Sequence, residues 1–152
     1  MREIIMFEEE IDQKTYQLFI SQVSETDEEY EKFKERLDDA HYFKYQNHSQ
    51  NNVSGKSNKD ELKKLLKDPL NDSEILIILS GLYPPYQNIL MALVELAHDL
   101  EIPILVIRPH GEENVPRKLE DNSNGVIGWS PSCIAGAIKG VLSGEDDDLC
   151  EL

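Results

Sequence analysis

Basic residues are scarce in this sequence: 15 lysines and arginines stand against 30 aspartates and glutamates, a formal net charge of −15. A surface this negative repels phosphate backbones, so nucleic-acid binding is not expected. Cysteine is nearly absent. Cys133 and Cys150 are the only two in 152 residues, and they make neither a disulfide framework nor a metal-ligand spacing, which fits a reducing, cytoplasmic setting. No apolar run approaches the roughly 20 residues of a membrane span. The apolar start at Ile4, Ile5, Met6 and Phe7 is cut short by Glu8, Glu9 and Glu10, so no secretory leader is expected. The four histidines, His41, His48, His98 and His110, are scattered; no metal site is expected.

Two further absences narrow the chemistry. A phosphate cradle places glycines directly after a strand, whereas Ser21-Gln22-Val23-Ser24-Glu25-Thr26 contains none. A phospho-acceptor receiver domain needs an aspartate at the end of its central strand, and here that strand ends in Ser80-Gly81.

What is present is an alternation of strands and helices in a chain sized for one domain. Tyr16 to Ser21, Tyr42 to Tyr45, Glu74 to Ser80, Ile102 to Ile107 and Val126 to Trp129 read as strands. The third and fourth are apolar on both faces, as central parallel strands are. Helical spacing covers Asp27 to Ala40, where Thr26 and Glu29 form a capping-box pair. It also covers Lys59 to Lys67, which should stop before Pro69, and Gln87 to Leu100. The last helix opens at Ser130-Pro131 and ends at Gly144. Such an order predicts an α/β fold, a doubly wound parallel sheet of about five strands with helices on both faces. Residues 1–15 stand outside the repeat as an N-terminal extension, with Ile4 to Phe7 a candidate edge strand. Residues 16–143 form the domain, and residues 144–152 an acidic, solvated tail.

Ligands of open α/β sheets bind beyond the carboxyl ends of the strands. That rule selects the loops Ser21 to Thr26, Gln46 to Asn58, Ser80 to Tyr86 and Pro109 to Pro116. The candidate ligand-binding residues on or beside them are Ser21, Ser49, Ser80, Gly81, Tyr83 and His110. Trp129, at a strand end, reads as a core plug.

The same loops carry a resemblance. Leu18-Phe19-Ile20-Ser21 is similar to the opening strand of the prokaryotic TIR-like family related to the TIR proteins of Thoeris anti-phage defence, with Gln22 where the family commonly has histidine. Phe43, Asn47 and Ser49 match its Phe-x-x-x-Asn-x-Ser pattern. Gly81-Leu82-Tyr83 resembles its Gly-Met-Tyr, and Pro109 to Pro116 its Pro-Trp-Gly-x-Glu-Arg-Ile-Pro. Gly128-Trp129 with Ile134, Ala137 and Ile138 matches its closing strand and helix. The resemblance runs from about Tyr16 to Val141 and implies a flavodoxin-like fold.

It also implies a chemistry. Active TIR domains cleave the nicotinamide–ribose bond of NAD through an oxocarbenium-like state, for which a nearby carboxylate is valuable. In the family a glutamate on the helix after the Gly-x-Tyr loop supplies it. Counted forward from Gly81 or back from Pro103, that position falls on Leu93, and the preceding family tryptophan falls on Ile89. Ile89, Leu93, Leu96 and Leu100 make one apolar stripe, while Met91, Glu95, His98 and Asp99 lie broadly opposite. Glu95 therefore reads first as a solvated surface acid. Glu95 and Glu112, with Glu113 beside it, are the candidates for a relocated carboxylate.

The expectation is a signalling or anti-phage-defence domain that acts through protein association or binding of NAD or an NAD-derived nucleotide, with weak or absent NAD cleavage. The expected partners are a second copy or another TIR or signalling protein, met through the Gln46 to Asn58 loop. The alternatives are an active NAD glycohydrolase or cyclase using Glu95 or Glu112, and a flavodoxin-like small-ligand-binding module.

Overall fold

The computed structural model describes residues 14–24, 28–40, 43–50, 53–54, 57–83, 86–108 and 114–143. Several sequence features therefore lie outside the described residues: the candidate edge strand Ile4 to Phe7, Thr26, the acidic tail, and His110, Glu112 and Glu113.

Five parallel strands form one sheet: β1 (Thr15–Ile20), β2 (Lys44–Asn47), β3 (Ile75–Leu79), β4 (Ile104–Ile107) and β5 (Gly125–Ile127), in the spatial order β2-β1-β3-β4-β5. Register is set at Tyr16↔Tyr45, Leu18↔Ile75, Leu76↔Ile104 and Leu105↔Gly125. The helices are α1 (Glu28–Asp38), α2 (Lys59–Asn71), α3 (Gln87–Leu100), a single turn α4 (Arg117–Glu120) and α5 (Pro131–Ser143). Helices α2 and α3 pack together, as do α1 and α5. This is the doubly wound α/β architecture expected from the alternation of elements.

Burial explains the order of strands. Every residue of β3 and β4 is buried, so these two occupy the middle, while β2 is only half-covered at an edge. Leu18, Phe19 and Ile20 of β1 carry the core toward that edge. On α3, Ile89, Leu93 and Leu96 all face the core, as the apolar stripe predicts, whereas His98 and Asp99 are exposed. Trp129 packs edge-on against Phe33 of α1 with ring centroids 5.8 Å apart, and its Nε1 donates to the Arg108 carbonyl at 2.7 Å. Trp129 is half-buried and packs against the core.

Three local readings are corrected. Helix α2 does not stop before Pro69 but runs through it to Asn71. The reason is Leu70, whose side chain is fully buried and needs that last turn. Burying such a side chain contributes about 1.5–3 kcal/mol, comparable to the cost of an interior proline. Strand β2 extends beyond Tyr45 to Asn47, because parallel pairing with β1 continues to Leu18↔Asn47. Finally, Cys133 is disulfide-bonded, against the expectation of no disulfide framework in a reducing setting.

Candidate functional site

In the strand order found here, connections leave β1 and β3 toward opposite sides, so the crevice between their carboxyl ends is the topological switch point where such folds bind ligands. Backbone and side-chain hydrogen bonds fix its floor. The Ser21 hydroxyl accepts from the Leu79 N–H at 2.9 Å, joining the ends of β1 and β3, and the Ser21 N–H donates to the Ile77 carbonyl at 2.9 Å. One strand further on, the Ser80 hydroxyl donates to the Ile107 carbonyl at 2.7 Å, joining β3 to β4. Both serines are essentially inaccessible. Of the sequence candidates, Ser21 and Ser80 thus hold the strand ends in place, because a buried hydroxyl committed to a carbonyl or an amide is costly to redirect.

The wall beside β2 is a polar network around Asn47. Its Oδ1 accepts from the Ile20 N–H at 3.0 Å and its Nδ2 donates to the Tyr30 hydroxyl at 3.0 Å. The Ser49 hydroxyl accepts from Gln22 Nε2 at 2.7 Å and donates to Asn47 Oδ1 at 3.0 Å. Four segments meet through these contacts: the end of β1, the first turn of α1, the end of β2 and the loop that follows. Ser49 is therefore the link between Gln22 and Asn47 in a hydrogen-bonded wall. Gln22 is buried and its amide holds Ser49.

Gly81 lies where β3 enters a short 3₁₀ turn over Ser80–Leu82, with Tyr83 half-buried behind it. Against Gly81 rests a group that the sequence spacing did not single out as a site residue, the carboxylate of Glu29. A Cβ added at Gly81 would come within 2.8 Å of the Glu29 carboxyl carbon. The Glu29 Oε2 is shielded from solvent. The capping-box spacing gave Glu29 a purely local task at the start of a helix. No periodicity reveals that the side chain also reaches across to the end of β3.

The relocated-carboxylate candidates fall elsewhere. Glu95 is not a simple solvated acid: it bridges two lysines of α2, Lys59 at 2.7 Å and Lys63 at 2.5 Å. Hydrogen bonds from Lys59 and then Lys63, outweighing partial desolvation, hold its carboxyl below the usual carboxylate range. Leu93 is fully buried in the core. Glu112 and His110 lie outside the described residues. Among the described residues no cluster of histidine, cysteine, aspartate or glutamate has the arrangement of a metal site, and no helix is long and apolar enough to cross a membrane.

A concavity of about 310 Å³ lies between β1, the loop after β2 and α2. It is lined by Phe19, Gln50, Val53, Leu65, Leu66 and Pro69, together with Asp68 and Asp72. Leu65 there is the one large apolar side chain exposed among the described residues.

No curated protein matches the sequence. A family model, that of the Thoeris protein ThsB, TIR-like domain, matches residues 9–114. The match covers β1 through β4 and includes the Gln22–Asn47–Ser49 wall, Glu29 and Gly81. With well over half of its length matched by that model and the parallel five-stranded architecture in place, the chain belongs to the family of the TIR-like domain of the Thoeris protein ThsB.

Proposed function

We propose that this protein is a signalling or anti-phage-defence domain that acts through association with another TIR-type protein, or through binding a nucleotide-type ligand such as NAD or a derivative of it, with little or no NAD cleavage of its own. Membership of the ThsB TIR-like family supports the defence and signalling part. The observation that carries the catalytic part is Leu93. The position that the resemblance assigns to the family glutamate holds a hydrocarbon with 0% exposure, packed in the core. Losing one preorganised electrostatic partner costs roughly 3–4 kcal/mol of transition-state stabilisation. A leucine sealed in the interior supplies nothing in exchange.

The alternative, an active glycohydrolase with its carboxylate relocated to Glu95, fits the surroundings poorly. A carboxylate held by two lysines is already neutralised by fixed partners, and releasing it to a sugar would break both ion pairs. Glu112 remains the other candidate for that reading. For the flavodoxin-like ligand-binding module, a flavin carried through purification would be the signature; the chain lacks a glycine-rich phosphate cradle.

The test is incubation of the full chain with NAD at high protein concentration, with products followed by mass spectrometry. The expected outcome is nicotinamide at the level of a protein-free control. Sustained release that scales with protein and disappears on changing a single carboxylate would overturn the reading.

A further inference from the structure

Helix α2 turns two different outer faces to water. With roughly 100° of rotation per residue, Asp68, Pro69 and Asp72 fall within about 60° of Leu65 and make one stripe at positions i, i+3, i+4 and i+7. Lys64 and Lys67 lie roughly 100° or more round the helix from Leu65, and Lys59 and Lys63 are engaged by Glu95. The stripe therefore joins a leucine that is 58% exposed to two exposed carboxylates one turn apart. Among the described residues neither carboxylate forms an ion pair.

This stripe is one wall of the concavity of about 310 Å³. Phe19 and Leu66, both buried, supply its apolar interior. Val53 closes it from the loop after β2, where the Val53 carbonyl accepts from the Ser24 N–H at 2.9 Å. The groove is thus preformed, apolar within and acidic along α2. Its chemistry suits a bulky apolar side chain flanked by cations. A second copy of this chain is a poor source of them: 15 basic residues against 30 acidic ones would bring mostly like charge to Asp68 and Asp72. Phosphate backbones and anionic lipid surfaces meet the same repulsion. A helical segment of a different protein, apolar on one side and basic beside it, has both the complementary charge and the matching spacing, since helices in grooves are read through anchors three and four residues apart.

We infer that this groove on α2 docks a basic amphipathic helical segment of a partner protein, with an apolar side chain packed against Leu65 and Leu66 and lysine or arginine paired with Asp68 and Asp72. The inference goes beyond the proposed function: it assigns a face and a partner chemistry from this groove alone, and it needs no event in the crevice.

The experiment is a fluorescence anisotropy titration of the full chain with two labelled helical peptides. One carries a leucine and two arginines, spaced like Leu65, Asp68 and Asp72, on a background of alanine and glutamine. The other has serine in place of the leucine and the same charge. The wild type is expected to bind the leucine peptide about tenfold tighter than the serine peptide, the effect of burying most of one leucine side chain. Leu65→Ser is expected to remove most of that preference. Asp68→Asn combined with Asp72→Asn is expected to weaken binding of both peptides about fivefold, as for two exposed ion pairs. Glu120→Gln combined with Asp121→Asn, which removes the same charge at α4, is expected to change binding by less than about twofold at physiological salt. All five positions are exposed, so every variant should keep the wild-type melting temperature. Equal binding of the two peptides, equal weakening by the α4 pair, or no binding by the wild type would overturn the inference. So would a wild-type dimer in sedimentation that Leu65→Ser dissociates, because a second copy would then fill the groove.

Discussion

At the scale of single residues, Leu93 and Asn47 separate packing from polar positioning. Leu93 has no exposed surface and belongs to the hydrophobic core. Leu93→Ala should therefore lower stability by about 2–5 kcal/mol in chemical denaturation, the range for deleting a buried leucine side chain. Leu93→Glu should be more damaging still, because it places an ionisable group with no partner in that interior. A glutamate at position 93 would thus disrupt the fold before it could contribute any chemistry. Asn47 makes a different prediction. Its side chain satisfies the Ile20 N–H and links Tyr30 to Ser49, so Asn47→Ala leaves a main-chain donor and a hydroxyl without their partner. A loss of about 1–3 kcal/mol is expected in the same assay. The apolar role of Leu93 was legible in the sequence, since a stripe of Ile89, Leu93 and Leu96 can only face inward on a helix. The placement of Glu29 was not. A first-turn acid reads the same whether its side chain turns toward water or toward a neighbouring strand, and only the approach of α1 to Gly81 decides between them.

At the scale of elements, the contact between α2 and α3 combines packing with charge. Leu62 and Leu66 of α2 are buried, and Lys59 and Lys63 clamp Glu95 from the rim of the same contact. Glu95 has a depressed carboxyl pKa, caused first by the Lys59 hydrogen bond and then by that of Lys63. Glu74 is also depressed: burial pushes it up, but the Gln17 N–H and the Lys14 ammonium pull it further down. Because both folded values lie below the unfolded one, their stabilisation is present above about pH 4.3 and is lost as pH falls through the folded values. Melting temperature followed from pH 7 to pH 3 should drop in that window, and Glu95→Gln should flatten part of the drop. At neutral pH that variant should cost at most about 1 kcal/mol, since the pair is more than one-third exposed and screened by water. Pro69→Ala tests the other end of α2. Restoring one N–H donor and removing the ring from the helix regains up to about 3 kcal/mol, less roughly 0.4–1 kcal/mol from a looser unfolded chain. A net gain of about 2 kcal/mol in denaturant unfolding is expected. The sequence pattern located α2, α3 and the central strands because their apolar periodicity comes from burial itself. It misplaced the end of α2 because proline's local preference competes there with the burial of Leu70, a tertiary term that no neighbour in sequence announces.

At the scale of the whole molecule, the parallel order β2-β1-β3-β4-β5 places one crevice at one end of the sheet, and the polar network, Gly81 and Glu29 all gather there. The alternation of strands and helices was enough to predict that end, since right-handed crossovers leave little choice of topology. What it could not supply was the identity of the inward-facing acid. The account requires that α3 brings no acid to this end of the molecule. The most direct measurement is nicotinamide release from NAD by the full chain, compared with Glu29→Gln and Glu95→Gln at equal concentration. The account predicts background release from all three proteins. Sustained turnover by the wild type, abolished in either variant, would contradict it.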